Sequence, residues 1–561
     1  MPSRTPTTPD TATPATRSGP FTRRSLIGAS LAVAGTGVLA ACSGSGSGGG
    51  DHGGHGGSAP RPAATDPSEA PGGFVAPDGK EVAAAEAARR GGAEHRVRLT
   101  ATPARLELGG GRTVRSWAYG DDLPGPEVRV TAGRTLALTL ANNLPEATSL
   151  HWHGLALRND MDGVPGLTQR PVAPGAEFTY RFALAHPGTY WFHPHSGVQQ
   201  DRGLYAPLIV EDPREPLAYD REWVVVLDDW VDGVDGSTPD AVLAELSKGM
   251  GGGGGGHEGH GGTAPMGGRA ATAPRKPDPG GKGPSRMMMG ARSDLLGGDA
   301  GDVAYPYYLI NGRTPEDPAV LTAKPGDRIR LRIINAGGDT AFRVALGGHE
   351  MTVTHTDGFP VRPARTDALL LGMGERYDVL VTAGDGVFPL TAVAEGKRAA
   401  ALAVLRTGSG TAPTARTRPR ELSRRLLTAG RLRADDSVAL PRRTPDRTLR
   451  IDLTGGMARY DWAFDGTPYT PGRIPYAVRA GERVRLVVRN TTAMWHPVHL
   501  HGHTFALADR AGGARKDTAV VLPGTTLTAD FDADNPGRWM IHCHNVYHAE
   551  AGMMTALGYR K

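Results

Sequence analysis

Three segments of the chain repeat one pattern of apolar and polar positions. Residues 133–142, 326–335 and 481–490 each begin with a glycine and end with an asparagine nine residues later. Between these ends polar and apolar side chains alternate, as in the arginine and aliphatic residues of 328–333. Such alternation is typical of a strand with one buried face. Three copies of the pattern predict three similar β-sandwich domains.

The composition agrees with an all-β chain. Its 561 residues include 79 Gly and 45 Pro, whereas aromatic residues make up only 6%, which favours many short strands joined by turns. The length is sufficient for three domains and further segments. The net charge is +5, and no dense run of Lys and Arg occurs outside the N-terminus, so nucleic acid is not an expected partner.

Residues 1–42 have the features of an export signal. Arg23 and Arg24 precede an uncharged run that ends in Leu-Ala-Ala-Cys at Cys42, and this run is too short for a comfortable membrane span. The arginine pair resembles a twin-arginine signal, and the last four residues resemble a bacterial lipobox. Together they indicate export and a lipid anchor at Cys42 on the outer face of the cytoplasmic membrane. The alternative is an ordinary signal peptide with a chance cysteine.

The segment that follows has no pattern of a folded element. Residues 43–91 are rich in Gly, Ser, Ala and Pro, with scattered charges. This composition predicts a flexible tether between the anchor and the first domain.

Histidine pairs recur at fixed distances from the repeated asparagines. Two His-x-His pairs begin nine residues after the first and the third asparagine, and two more follow Pro-Gly turns. The four pairs are His151/His153, His499/His501, His193/His195 and His542/His544. The middle repeat has Val344 and Leu346 at the matching positions. We therefore predict a metal cluster shared by domains one and three, with the middle domain holding the outer two in place.

The last histidine pair encloses a cysteine. Cys543 is followed by His548 and then by Met553, which together supply much of a blue-copper site, with two His and one Cys in a plane and a weak axial Met. Because side chains alternate along a strand, His542 and His544 point away from the side of Cys543. They are expected to bind a second centre directly behind the first, so that Cys543 carries electrons into it.

Four spaced motifs resemble the multicopper oxidases, specifically the three-domain laccase-like group. They are His-Trp-His-Gly at 151–154, His-Pro-His at 193–195, His-Pro-Val-His-Leu-His at 496–501, and the stretch 542–553. The resemblance covers about residues 95–561 and extends to the copper-tolerance subgroup and to lipid-anchored actinobacterial members. It implies three cupredoxin-like Greek-key β-sandwich domains with approximate spans 92–215, 220–407 and 440–561, and a connector at 408–439.

The resemblance also implies four copper ions with assigned ligands. The type 1 copper takes His496, Cys543, His548 and axial Met553; the type 2 copper takes His151 and His499; the type 3 pair takes His153, His193 and His544 on one ion and His195, His501 and His542 on the other. The remaining histidines outside low-complexity tracts are expected to be structural.

Proton supply is expected from an acid near this cluster. Asp162 matches a proton-relay residue near the type 2 copper of related enzymes; the alternative is a turn residue, because Asp-Gly is a strong turn signal. Some relatives carry a second acid directly after the last type 1 His, where this chain has Ala549 followed by Glu550. The second proton donor is therefore left open.

The implied reaction passes four electrons, one at a time, from a donor to dioxygen, which is reduced to two waters. The insert 249–292 holds five of the fourteen Met, and soft Met thioethers select Cu(I). Cu(I) is therefore the expected donor and copper tolerance the expected role. Because the insert lacks a regular Met-x-x-Met ladder, a low-complexity loop is the alternative.

Other donors and one other class of function stay open. Phenols or aromatic amines would make the protein a laccase, and Fe(II) would make it a ferroxidase. A non-catalytic copper-sequestering lipoprotein is the alternative outside enzymes. All ligands of the cluster lie in one chain, so a monomer is the simplest expectation.

Overall fold

Three pairs of β-sheets, one after another in the sequence, build the protein. The computed structural model describes residues 73–250, 283–508 and 512–561. The predicted signal with Cys42, residues 43–72 of the predicted tether and residues 251–282 of the insert lie outside the described residues. Each pair of sheets belongs to one stretch of sequence, and the all-β fold of three cupredoxin-like Greek-key domains is confirmed.

Helices are few and short. The α-helices in the described parts of the chain are α1 (Lys80–Ala88), α2 (Pro239–Leu246) and α3 (Val546–Ala551). None of the described helices is long and apolar enough to cross a membrane.

The first domain places two histidine pairs on neighbouring strands. Its strands are β1 (Glu94–Gly109), β2 (Arg112–Tyr119), β3 (Val128–Thr131), β4 (Thr135–Asn142), β5 (His151–His153), β6 (Glu177–Ala183), β7 (Gly188–His193) and β8 (Ala206–Glu211). They form two four-stranded sheets with the orders β2-β1-β4-β6 and β3-β8-β7-β5. Antiparallel pairing of β5 with β7 sets His151 opposite His193.

The middle domain is the largest. Its strands are β9 (Arg221–Trp230), β10 (Arg292–Ser293), β11 (Gly298–Asp299), β12 (Tyr307–Ile310), β13 (Ala319–Thr322), β14 (Arg328–Asn335), β15 (Phe342–Leu346), β16 (Met351–Thr356), β17 (Phe359–Thr366), β18 (Ala368–Leu371), β19 (Arg376–Thr382), β20 (Val387–Ala394), β21 (Ala399–Arg406) and β22 (Leu426–Leu427). Two six-stranded sheets have the orders β12-β9-β14-β19-β16-β17 and β13-β21-β20-β15-β18-β22, and β10 pairs with β11.

The third domain repeats the arrangement of the first. Its strands are β23 (Arg447–Thr454), β24 (Ala463–Phe464), β25 (Tyr476–Val478), β26 (Arg483–Asn490), β27 (His496–Leu500), β28 (Phe505–Leu507), β29 (Arg515–Lys516), β30 (Thr518–Val521), β31 (Thr526–Asp532), β32 (Arg538–Cys543) and β33 (Met554–Tyr559). The sheet orders are β24-β23-β26-β31-β28-β29 and β25-β33-β32-β27-β30. Here β27 pairs with β32, and His499 lies opposite His542.

The repeated sequence segments form the same strand in each domain. β4, β14 and β26 pair parallel with β1, β9 and β23, respectively. The asparagines that end these strands are Asn142, Asn335 and Asn490, and each side chain donates to two backbone carbonyls and accepts from the N–H two residues on. The amide thereby satisfies buried backbone groups at a sharp turn, which explains why the repeat ends in Asn.

The end of the predicted tether is ordered against the third domain. Phe74 and Val75 are buried, and the Val75 N–H donates to the carbonyl of Tyr559 at 2.8 Å. Helix α1 follows and buries Val82. The composition of 43–91 does not reveal this, because the few apolar residues near its end are buried against a strand almost 500 residues away in the sequence.

Two further segments differ from their expected form. Met287 and Met288, near the end of the insert, are partly buried against the hydrophobic core, whereas the composition of the insert predicts that it has no core of its own. In the predicted connector, β22 pairs parallel with β18 and buries Leu427. In both segments, apolar side chains find a surface that another part of the chain supplies.

Candidate metal centres

A buried cysteine lies between two imidazole rings where β27, β32 and α3 meet. Cys543 Sγ is 3.6 Å from Nδ1 of His496 and 3.7 Å from Nδ1 of His548. The two nitrogens are 3.1 Å apart, and all three side chains are fully buried. Nε2 of His496 bonds to Thr492 Oγ1 at 2.8 Å, which leaves Nδ1 facing the thiol. These three predicted ligands, here called the cysteine site, are close enough to hold one metal ion.

The predicted axial ligand lies beside the cysteine site. The Met553 side chain is fully buried. Its carbonyl accepts from the Cys543 N–H at 3.0 Å, and its own N–H donates to the carbonyl of His548 at 2.9 Å. The chain after α3 therefore returns to the cysteine, as a weak axial thioether requires.

Eight further histidines converge between the first and third domains. Their ring nitrogens form groups that lie within 4.8 Å of one another, namely His151/His153/His499, His153/His193/His544 and His195/His501/His542. All are buried except His195, which is half-buried. We call these eight side chains the histidine centre. The four predicted His-x-His pairs are thus brought together, while Val344 and Leu346 of the middle domain lie in a hydrophobic core.

The free nitrogens of the histidine centre suit bound metal. Six Nε2 atoms are buried without a hydrogen-bond partner among the described residues; they belong to His151, His193, His195, His499, His501 and His542. Buried polar atoms are otherwise almost always paired, and an unpaired one is costly. Imidazole nitrogen is a good ligand for copper, so copper ions would satisfy these atoms together.

Side-chain alternation at the end of β32 links the two sites. Cys543 faces the cysteine site, whereas the rings of His542 and His544 lie in two different groups of the histidine centre. Nδ1 of His542 bonds to the carbonyl of Cys543 at 2.9 Å. The path from the thiol to either group is therefore one peptide unit and one imidazole, as the sequence predicts.

Asp162 touches one histidine from each outer domain. It follows a short 3-10 helix (Asn159–Met161) in the first domain. Its carbonyl bonds to Nδ1 of His151, and its carboxylate Oδ2 bonds to Nδ1 of His501, both at 2.9 Å. The carboxylate is fully buried, and its Oδ1 lies 3.2 Å from Nδ1 of His151. This predicted relay residue therefore lies at the histidine centre, with one carboxylate oxygen beside a histidine of each outer domain.

Asp517 is a second acid at the histidine centre, and the sequence did not reveal it. Its carboxylate Oδ1 is 3.1 Å from Nε2 of His153, and its carbonyl is 2.9 Å from Nδ1 of His499. Nε2 of His153 makes this contact, so the other ring nitrogen, Nδ1, faces Nε2 of His544 at 3.1 Å. Asp517 lies between β29 and β30, and no motif or spacing in the sequence singles it out.

Burial keeps most of these rings neutral. Desolvation lowers the pKa below the usual histidine range at His153, His193, His195, His496, His499, His501, His542 and His544. A neutral imidazole has the free electron pair that a metal needs, so these rings can accept metal near neutral pH.

His548 behaves differently because of a carboxylate that sequence reasoning missed. Burial favours its neutral form, but the bond from Nε2 to Asp302 Oδ2 at 2.9 Å and the nearby Cys543 outweigh burial and raise its pKa to about 10. Asp302 itself is buried in the middle domain. It lies far from every motif in the sequence, so only the fold could identify it.

Histidines outside the two sites make ordinary contacts. His503 bonds through Nε2 to the Tyr559 hydroxyl at 2.6 Å. His349 bonds to the carbonyl of Gly347 and accepts from the N–H of Gly384. His186 and His355 are each within hydrogen-bond distance of an adjacent residue. These contacts support the expected structural role.

Comparison with known proteins gives one consistent family. Sequence models described as multicopper oxidase match residues 100–215, 286–410 and 442–561. The chain is 50% identical over 479 residues to multicopper oxidase MmcO of Mycobacterium tuberculosis, covering 85% of this chain and 89% of that protein. It is 30% identical to copper resistance protein A of Escherichia coli, covering 77% of this chain and 87% of that protein.

Solved structures agree in fold. A multicopper oxidase from Pseudomonas thermotolerans aligns with a TM-score of 0.61 at 27% identity, covering 83% of this chain and 100% of that one. A laccase from Botrytis aclada aligns with a TM-score of 0.66 at 25% identity, covering 83% of this chain and 88% of that one.

Proposed function

The chain belongs to the multicopper oxidase family, and from this premise we propose that it is an exported cuprous oxidase that serves copper tolerance. The balanced reaction takes four Cu(I), one dioxygen and four protons to four Cu(II) and two waters. The family membership makes it a copper-dependent oxidoreductase. The identity of the donor, the ligand set and the route of electrons and protons are the parts that we propose.

The ligand set follows the two groups of buried side chains. The proposed type 1 ligands are His496, Cys543, His548 and Met553; the type 2 ligands are His151 and His499; the type 3 ligands are His153, His193 and His544 on one side and His195, His501 and His542 on the other. When bound there, copper supplies the one-electron chemistry and the site of dioxygen reduction.

The main support for Cu(I) as the donor is the position of the two ends of the insert. At one end, the Met288 N–H donates to the carbonyl of Asp302 at 2.7 Å; at the other, the Met250 N–H donates to the carbonyl of Ala458 at 3.2 Å. Asp302 bonds to His548 of the cysteine site, and Ala458 is two residues before Tyr460, whose ring lies beside His548. Both ends of the Met-rich insert are therefore bonded to segments that adjoin the cysteine site.

The donor groups at this place suit a soft cation. Met287, Met288 and Met457 are partly buried against the hydrophobic core of the middle and third domains. The backbones of Met288 and Met457 bond to Asp302 and Met250, respectively, and thioethers select Cu(I).

The Asp302 carboxylate is buried beside the Tyr460 hydroxyl, and it can neutralise part of the charge of an arriving ion. Its Oδ2 contacts His548, which gives the substrate electron a short path to the cysteine site. Copper resistance protein A, a relative named above, agrees with this role by its name.

Burial of the cysteine site argues against an aromatic donor. His548 and Cys543 are both 0% exposed, and the ring of Trp462 covers His548 with centroids 4.3 Å apart. A phenol therefore cannot touch the imidazole edge without displacing protein, whereas a metal ion passed along side chains can transfer its electron through Asp302. The relatives named laccases keep phenol oxidation as a second candidate.

Asp162 supplies protons in this proposal. Its Oδ2 accepts from Nδ1 of His501. Its Oδ1, which lies 3.2 Å from Nδ1 of His151, is the atom that would carry the transferred proton. The acid is held at the boundary of the first and third domains, where dioxygen reduction consumes protons. Positioned acids of this kind contribute to catalysis by general acid chemistry.

The cellular setting is also proposed from the sequence. Residues 1–42 would direct export by the twin-arginine route, and Cys42 would carry the lipid anchor. One chain contains every proposed copper ligand, which supports a monomer.

Oxygen uptake by copper-loaded mature protein tests the proposal. With Cu(I) as the donor, Asp302→Asn and deletion of 251–282 should each lower the rate, by about 10-fold or more for Asp302→Asn, since contacts behind a ligand are worth about that much. The exposed Asp436→Asn is the matched control and should keep the wild-type rate.

Three results would contradict parts of the proposal. Unchanged Cu(I)-driven uptake in both variants would remove the insert and Asp302 from the donor path. Fast uptake with phenols but not with Cu(I) would make the protein a laccase. Absence of uptake with any donor, despite a full blue-copper spectrum, would leave copper binding without turnover.

A further inference from the structure

We propose that Arg376, in the middle domain, is a positioning residue of the histidine centre that acts through Asp517. This inference rests on the proposed copper centre but concerns a domain that supplies none of its ligands. Arg376 is the first residue of β19, and its side chain is fully buried. Its role follows from the groups to which its guanidinium is bound.

The guanidinium of Arg376 joins all three domains. Nη1 and Nη2 donate to the two oxygens of Asp517 in the third domain, each at 2.7 Å. Nε donates to the carbonyl of Thr189 in the first domain at 3.1 Å, and Nη1 also donates to the carbonyl of Gly374 in the middle domain at 3.0 Å. A planar, two-pronged pairing of this kind fixes the carboxylate in both distance and orientation.

Asp517 passes this orientation to two ligands. Its carboxylate bonds to Nε2 of His153, and its carbonyl bonds to Nδ1 of His499. The two rings stack with centroids 3.8 Å apart. Asp517 thereby selects Nδ1 of His153 and Nε2 of His499 as the nitrogens free for metal. A carboxylate that was not held could turn away from His153 and leave Thr518 Oγ1, at 3.0 Å, as the other partner of its Nε2. The contact to His499 uses the backbone carbonyl, so the effect of the carboxylate is on His153 first.

Gly154 explains why the ion pair can lie so close to the centre. This glycine follows His153 and has φ +89°, and a Cβ there would lie 2.5 Å from Asp517 Oδ2 and would also collide with Nη2 of Arg376. The glycine of the His-Trp-His-Gly motif binds no metal. It leaves the space that the Arg376–Asp517 pair occupies.

The charges around Arg376 are balanced by a second carboxylate. Asp357 Oδ1 is 3.5 Å from Nη1 of Arg376, and it also accepts from the Arg376 backbone N–H at 2.9 Å. Its Oδ2 pairs with Lys516 Nζ at 3.1 Å. Lysine at position 376 would keep the charge but could not span both oxygens of Asp517.

Copper binding by Arg376→Met and Arg376→Lys tests the proposal. After loading and dialysis, the affinity for the ions of the histidine centre should fall about 10- to 100-fold in Arg376→Met and to a smaller extent in Arg376→Lys. The type 2 electron paramagnetic resonance signal should shift in both. The visible band of the cysteine site should remain, and it reports that the variant is folded.

Arg330→Met is the matched control. Arg330 is equally buried and pairs through Nε and Nη2 with Asp378, a carboxylate that contacts no proposed ligand. It should lose stability yet bind copper as the wild type does. Four copper ions and an unchanged type 2 signal in Arg376→Met would overturn the inference, as would an equal copper loss in Arg330→Met. If the wild type binds copper only at the cysteine site, the proposed function fails instead, whatever the variants do.

Discussion

Asp162 and Asp517 each contact two rings of the histidine centre, and both use the same two groups, the backbone carbonyl and the side-chain carboxylate. Each uses its backbone carbonyl for a histidine of its own domain and its carboxylate for a histidine of the other outer domain. The four contacts are Asp162 O to His151 Nδ1 at 2.9 Å, Asp162 Oδ2 to His501 Nδ1 at 2.9 Å, Asp517 O to His499 Nδ1 at 2.9 Å and Asp517 Oδ1 to His153 Nε2 at 3.1 Å. Each outer domain thus supplies one acid whose carboxylate contacts a histidine of the other outer domain.

The two acids differ in what holds their second oxygen. Both oxygens of Asp517 receive hydrogen bonds from Arg376. Burial alone would raise the pKa of Asp517, but the guanidinium and the neighbouring histidines lower it well below the usual range. Among the described residues, Asp162 is paired with no guanidinium, and its two carboxylate oxygens lie beside the rings of His151 and His501 instead. Asp517 is therefore suited to positioning and Asp162 to proton transfer.

Replacing Asp162 by Asn should separate proton transfer from copper binding. The amide oxygen can still accept from His501, but the amide cannot carry the proton to be transferred. We expect full copper content, an unchanged rate of reduction at the cysteine site, and reoxidation by dioxygen slower by about 10²- to 10⁴-fold. Stopped-flow reoxidation of the fully reduced protein measures this. Reoxidation at the wild-type rate would leave Asp162 with a positioning role alone.

Gly374→Ala should damage the histidine centre directly. A Cβ at this residue would lie 2.8 Å from Cε1 of His153 and 2.9 Å from Cδ2 of His544, at a φ of +84°. The left-handed backbone alone costs about 1–3 kcal/mol. Gly326→Ala has a similar φ of +87° with nothing nearby, so it reports strain without collision. We expect both to lower the midpoint of thermal unfolding, but only Gly374→Ala to lose copper from the centre, as elemental analysis would show. Equal copper content in the two variants would rule out the collision.

Lys397→Met should be strongly destabilising. Lys397 Nζ is fully buried and bonds to Asp339 Oδ2 at 2.6 Å. Asp339 Oδ1 also accepts a hydrogen bond from Asn545 Nδ2 at 2.5 Å. Asn545 is the N-cap of α3, the helix that contains His548. Removing the ammonium leaves the carboxylate buried without its cation, which costs about 3–5 kcal/mol.

Chemical denaturation of the purified protein tests this cost. Arg362→Met breaks an exposed pair with Asp436. It should change the free energy of unfolding far less than Lys397→Met, because solvent screens a surface pair. Similar losses for the two variants would show that the buried Lys397–Asp339 pair contributes no more than a surface pair.

Copper affinity should depend on pH differently at the two sites. The pKa of His548 is raised to about 10, so near neutral pH a metal must displace a proton from it. Affinity at the cysteine site should therefore rise with pH, by about tenfold per pH unit for that proton. Burial lowers the pKa of seven rings of the histidine centre, as at His193 and His501, so these rings are already neutral.

Chelator competition at pH 6, 7 and 8 measures both dependences. The visible band reports the cysteine site, and the type 2 signal reports the histidine centre. We expect the histidine centre to be nearly independent of pH in this range. An affinity of the cysteine site that does not change with pH would contradict the raised pKa of His548.

The ligands themselves could be predicted because their signals are local. Alternation along a strand places His542 and His544 on one side and Cys543 on the other, and this depends only on backbone geometry. The repeated Gly-to-Asn segments likewise reveal three copies of one strand before any packing is known. All twelve side chains predicted as ligands lie at the two sites.

What the sequence by itself determined was the repeated Gly-to-Asn strand, the all-β class with three similar domains, and the candidate ligands, since the strand pattern and the His motifs depend on residues a few positions apart. Only the tertiary structure decided which carboxylates and cations hold those ligands. Asp302 reaches His548 across 246 residues, and Arg376 reaches Asp517 across 141. Such pairs form where separate domains pack together. A buried charge is stable there only when it has an opposite charge or a hydrogen bond as its partner. No spacing along the sequence predicts these contacts between domains.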